Sequence, residues 1–166
     1  MNTNDLERKY NLSRLNLLIL VGLSVVNMIT LVLNDSYFFF SLSFPRNFQL
    51  VYVILSEQGL VPNQQLIQPI LLLIMVIPIV LFLLCYIFSN NNRYKIMLVA
   101  IILFAIDSIF TLLTFELIDI IFHIYISIVL IMGYSSGRKI AKLDSKVDIM
   151  DYDEDDFKWG LISPFF

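Results

Sequence analysis

Three ionisable side chains stand inside long stretches that otherwise carry no charge: Asp107, Asp119 and His123. Such groups are costly in an apolar medium and mark either function or a strong structural need. Asp119, His123 and Ser127 follow at i, i+4 and i+8, so on a helix they form one stripe. Asp107, Thr111 and Thr114 share a face in the same way, and Ser24, Asn27 and Thr30 recur every three residues. Imidazole is the side chain suited to passing protons, and Asp119 one turn from His123 could orient its ring. A desolvated Asp107 could hold a proton. Two carboxylates and one imidazole are also a ligand set for a divalent metal. The bland alternative is that these groups hydrogen-bond across helices and fix their register. The candidate cluster for a proton, an ion or a metal is therefore Asp107, Asp119, His123, Asn27, Ser127 and Thr111, with Pro78 as a helix kink. If a metal is held, its ligands are Asp107, Asp119 and His123. No catalytic residue is assigned, and the sequence requires no cofactor.

The elements that must position these residues are long apolar runs. Of the 166 residues 58% are hydrophobic and only 15% charged, and mean hydropathy is +0.81. No charge falls between Leu15 and Asn34 or between Gln58 and Asn92. A membrane span needs about 20 mostly apolar residues. The runs are continuous rather than alternating, and within lipid only helices or closed barrels satisfy the backbone. The reading is an all-α membrane fold, a four-helix bundle with spans at 15–33, 67–89, 96–115 and 117–134. A cytoplasmic segment (1–14) precedes the membrane domain (15–143), and an acidic, aromatic tail (144–166) follows it. The first span lacks a small-residue cleavage site, so it is expected to remain rather than be removed as a signal peptide. Cys85 is the only cysteine, which excludes an intrachain disulfide.

Lysine and arginine mark the cytoplasmic side of membrane helices. Arg8, Lys9, Arg14, Arg93, Lys95, Arg138, Lys139, Lys142 and Lys146 fall on one side, and only Arg46 on the other. Both termini are therefore expected in the cytoplasm, with the chain integral to the plasma membrane. The first outer loop contains Phe48, Val51, Tyr52 and Leu55 at i, i+3, i+4 and i+7, with Pro45 just ahead. This spacing predicts a short amphipathic helix, lying in the outer interface with its aromatic residues at headgroup depth. A rise of about 1.5 Å per residue places Asp107 roughly 12 Å below the outer end of its span, level with the stretch from His123 to Ser127. Gly133 and Gly137 make a Gly-x-x-x-Gly pair, which permits close helix approach and so dimerisation, or marks only the helix exit.

Several segments resemble a family of small four-helix integral membrane proteins from low-GC Gram-positive bacteria. They are Ser13-Arg14-Leu15-Asn16-Leu17-Leu18, Tyr37-Phe38-Phe39-Phe40-Ser41 with Pro45, and Ile118-Asp119-Ile120-Ile121-Phe122-His123 with Gly137-Arg138-Lys139. The resemblance implies the four-helix layout and draws attention to Asp119 and His123. It implies no activity.

The sequence has no Walker loop, no Gly-x-Ser-x-Gly elbow and no His-Glu-x-x-His, and no basic stripe suggests nucleic acid. The leading expectation is a protein that acts by binding, without catalysis, as an accessory subunit or an immunity-like self-protection factor. Its partners would be the lipid bilayer and a membrane protein or peptide, met through the outer loop or the C-terminal tail; a homo-oligomer stays open. The first alternative is a transporter or an ion- or proton-conducting component using Asp107 and His123. The second is a metal-dependent membrane enzyme with its site in the outer leaflet.

Overall fold

A computed structural model describes residues 2–34, 40–61, 64–90, 93–114 and 116–160, with side chains described as far as 145. The chain forms five helices: α1 (Thr3–Asn34), α2 (Ser43–Glu57), α3 (Gln64–Phe88), α4 (Tyr94–Thr114) and α5 (Leu117–Gly160). Four of them, α1, α3, α4 and α5, are long and apolar enough to cross a membrane. Their surfaces say what solvent they suit. Leu73, Ile109, Ile121 and Ile128 are 58–68% exposed, while Ser24, Asn27, Asp107, Thr111, Asp119 and His123 are buried. A water-soluble bundle would place these groups the other way round. Apolar outside and polar inside is the pattern of an integral membrane protein, for which hydrocarbon supplies no driving force to bury leucine.

The four long helices close a ring in which α1 packs on α5, α5 on α4, α4 on α3 and α3 on α1. The α1–α5 contact is close because of its glycines. A Cβ on Gly133 would collide with the Ser13 side chain, and one on Gly137 with the Tyr10 ring and Tyr94 Cβ. The Gly-x-x-x-Gly pair is thus occupied within the chain, and Ser13 Oγ donates a hydrogen bond to the Val129 carbonyl across the same contact (2.6 Å). At this end of the bundle Tyr10 Oη donates to the carbonyl of Ser89 (2.6 Å), just past α3. Arg14 donates to Ser89 Oγ (3.1 Å) and lies 5.3 Å over the Tyr86 ring. A cation and a hydroxyl here satisfy carbonyls that the helix end leaves open. Toward the middle, Leu17, Leu20, Ile79, Phe82, Met97, Ala100, Phe104, Ile126 and Leu130 fill the interior without a polar atom in their side chains.

At the opposite end α2 packs between α3 and α4. The short helix expected in the first outer loop is there, but its predicted face is divided. Phe48 and Tyr52 pack on the cluster of Leu31, Leu71 and Met75, whereas Val51 and Leu55 are exposed. Its buried residues are instead Ser43, Pro45, Arg46 and Asn47, at its start. The reason is chemical. Polar groups of α4 and α5 attract the polar first turn of α2, and that attraction outweighs the apolar period used to place the helix. Pro78 lies inside α3 with Phe44, Leu81 and Asp107 around it, lining a mostly apolar recess of about 200 Å³ below the start of α2. Helix α5 continues to Gly160 through the acidic run, whose side chains lie outside the described residues, as do residues 161–166.

Candidate functional site

The start of any helix leaves four backbone N–H groups without an intrahelical acceptor. Leu42, the residue before α2, has no capping side chain of its own. Its N–H donates instead to Ser24 Oγ on α1 (3.1 Å). The next two N–H groups, of Ser43 and Phe44, donate to Asp107 Oδ2 (3.0 Å) and Oδ1 (2.8 Å) on α4. The fourth position is Pro45, which has no N–H to satisfy. All four positions are accounted for, and the cap is supplied from other helices. A carboxylate at a helix N-terminus is also favoured by the helix dipole.

His123 on α5 completes this arrangement. Its Nδ1 lies 2.8 Å from the backbone carbonyl of Asp119, which can only accept, so Nδ1 carries a proton. Its Nε2 lies 3.0 Å from Asp107 Oδ2. A hydrogen bond there needs one proton between ring and carboxyl, and the pair is neutral as a unit whichever atom holds it. The ring stacks on Phe104, with centroids 4.9 Å apart and planes 15° from parallel. Ser43 Oγ and Thr111 Oγ1 share a hydrogen bond (2.6 Å) beside it. Asn47 Nδ2 donates to the carbonyls of Ser43 (2.9 Å) and Phe110 (3.3 Å), holding the second turn of α2 on α4.

A second group of charges sits closer to the α4–α5 turn. Arg46 on α2 bridges Asp119 (2.6 Å) and Glu116 (2.8 Å). The Arg46 and Asp119 side chains are buried at 7% and 5% exposure, against 29% for Glu116. Asp119 Oδ1 also accepts the N–H of Phe40 (3.3 Å). Phe40 has φ of 71°, a left-handed conformation uncommon for a residue with a side chain. That conformation is held from two sides, by the carboxylate and by an edge contact with the Phe122 ring at 5.4 Å.

The sequence candidates are therefore distributed as follows. Asp107, Thr111 and His123 meet at Ser43. Asp119 offers His123 only its backbone carbonyl and turns its carboxylate to Arg46. Among the described residues no three His, Cys, Asp or Glu side chains converge to hold a metal ion. Asn27 bonds to Ser41 on the chain leading into α2. Ser127, one turn beyond His123, lines a groove of about 490 Å³ between α4 and α5 together with Ser108 and Thr111. Asp119 is buried. Sequence reasoning missed Ser41, Ser43, Arg46 and Glu116. Arg46 carried a signal, being the one basic residue set against the charge bias.

No family model, curated protein or solved structure matches this chain. The resemblance noted above therefore carries no family assignment, and what remains is the geometry. Every buried side-chain nitrogen and oxygen among the described residues has a partner.

Proposed function

We propose that this is a small polytopic membrane protein that acts by binding, as an accessory subunit or an immunity-like protection factor, with α2 as the element it presents. The observation that carries this reading is the three-way use of Asp107: its carboxylate takes the first two N–H groups of α2 and meets His123. The polar residues inside the bundle act together as a seat for α2. The far half of α2 then stands outward, with Leu50, Val51, Val53, Ile54 and Leu55 exposed. Both termini lie on the cytoplasmic side in this reading, in keeping with nine basic residues at that end. Arg46 alone stands at the opposite end, and nine against one is still a strong bias.

A conducting role draws less support, because the apolar interior around Phe82, Phe104 and Leu130 lies directly beneath the cluster. A metal-dependent reaction draws less because the Asp119 carboxylate faces Arg46.

The test is photo-crosslinking in the native membrane from a reactive amino acid placed at Leu50 or Val53, with Ile121 on α5 as the lipid-facing control. A reproducible protein adduct from α2 and none from Ile121 supports the reading. Lipid adducts alone from every position overturn it. Capture that persists unchanged in Asp107→Leu would leave binding intact but remove the role given to the seat.

A further inference from the structure

The end of the bundle opposite α2 has a feature that the proposed function does not use. A groove of about 390 Å³ lies between α1 and α5, lined by Arg8, Lys9, Leu12 and Met132. Two of these four residues are cations and two are apolar. Asp5 and Glu7 occupy the same stretch of α1, yet no carboxylate among the described residues comes within ion-pair distance of Arg8 or Lys9. The two charges are left to a partner outside the described chain.

The groove has a direction. On α1, Arg8, Leu12, Leu15 and Ile19 fall at i, i+4, i+7 and i+11, so they share one face. Leu12, Leu15 and Ile19 are 47–50% exposed. On α5, Tyr125 continues the face of Met132 at a spacing of seven and is 53% exposed. A cationic mouth thus opens onto an apolar track along the bundle. From Leu12 to Ile19 the track rises about 10 Å, roughly two thirds of the depth of one leaflet's hydrocarbon.

We propose that this groove binds one anionic phospholipid, its phosphate between Arg8 and Lys9 and an acyl chain along Leu12, Leu15 and Ile19. A basic recess between helices on the cytoplasmic face is suited to an acidic headgroup. The track adds what a free phosphate could not use. The ligand class is set by two features together, the paired cations and the apolar face that runs on from them.

The test is mass spectrometry of the intact full-length protein released from micelles doped with phosphatidylglycerol, phosphatidylcholine or inorganic phosphate. The proposal expects retained phosphatidylglycerol adducts, few phosphatidylcholine adducts and no competition by millimolar phosphate. Arg8→Gln with Lys9→Gln should weaken phosphatidylglycerol binding about thirtyfold, taking each basic residue near an anionic surface at its usual worth. Arg138→Gln with Lys139→Gln removes two exposed charges at the same end that do not line the groove, and should change little. Thermal unfolding of both variants controls for folding. Equal losses in the two double variants would mean diffuse attraction and overturn the site. Unchanged binding in the Arg8 and Lys9 variant would do the same, and displacement by inorganic phosphate would overturn the lipid as its ligand.

Discussion

Replacing Asp107 by leucine removes the acceptor for two backbone N–H groups at the start of α2 and the partner of His123 Nε2. Hydrogen bonds to a charged group are worth about 1.5–3 kcal/mol each in proteins, so losing the two N–H bonds costs about 3–6 kcal/mol. Interhelical bonds within membranes average nearer 0.6 kcal/mol, because the separated helices find other partners, which sets a floor of about 1.2 kcal/mol for two. The lower scale does not fit well here. The donors are main-chain groups at a buried helix start, and α2 must leave its seat before water can reach them. The expected loss is about 3 kcal/mol, and it is local, because the α1–α5 contact does not involve Asp107 and the α4–α5 contact loses only the bond to His123. Hydrogen–deuterium exchange of the detergent-solubilised protein, read by peptide mass spectrometry, reports it directly. Within 42–46 the amides of Ser43 and Phe44 should exchange about 150-fold faster in Asp107→Leu, while those in the middle of α1 and α5 keep their protection. A change below ~eightfold at 42–46, the membrane floor, would refute the claim that Asp107 holds α2. Uniform loss of protection throughout the bundle would refute the claim that the effect is local.

Three further outcomes are expected. Arg46→Leu leaves the buried Asp119 carboxylate uncompensated and should cost about 3–5 kcal/mol in chemical or thermal unfolding, with the double variant Arg46→Leu, Asp119→Leu less damaged than the single one. Gly133→Ala should lower thermal stability by about 1–3 kcal/mol through its clash with Ser13, whereas Gly22→Ala meets open space and should leave the melting temperature unchanged or slightly raised. Tyr10→Phe removes the hydroxyl that donates to the Ser89 carbonyl and should cost about 1 kcal/mol by the same melting assay.

The membrane helices were readable because each is a long run of one chemical character, needing no knowledge of what lies beside it. Asp107 and His123 were readable as neighbours because the two helices that carry them are joined by a turn of a few residues, which fixes their relative depth. The surroundings of Asp119 were not legible in the same way. Its partner Arg46 is 73 residues earlier in the chain, and nothing local announces that pairing. The same holds for Ser43 and Asp107, 64 residues apart. The short helix was placed from its apolar period, and that period was the weaker signal. Ser43, Arg46 and Asn47 decide which way α2 turns, through acceptors on other helices. Arg46 was the available clue, since an isolated cation on the side that disfavours cations asks for a buried counter-charge.

The seat of α2 also imposes an order on biosynthesis. A ribosome delivers Ser43 and Arg46 well before it delivers the residues that receive them, with Asp119 following Arg46 at a separation of 73 residues. At about 5–20 residues per second this gap lasts roughly 4–15 s. During that interval Ser24 on α1 can take the N–H of Leu42, but those of Ser43 and Phe44 lack Asp107, and an arginine with no counter-ion would have to stay hydrated. The segment must wait in water until the α4–α5 hairpin is in place. The second helix in the chain is therefore the last to reach its final position, moving inward into a socket that the C-terminal half of the protein completes.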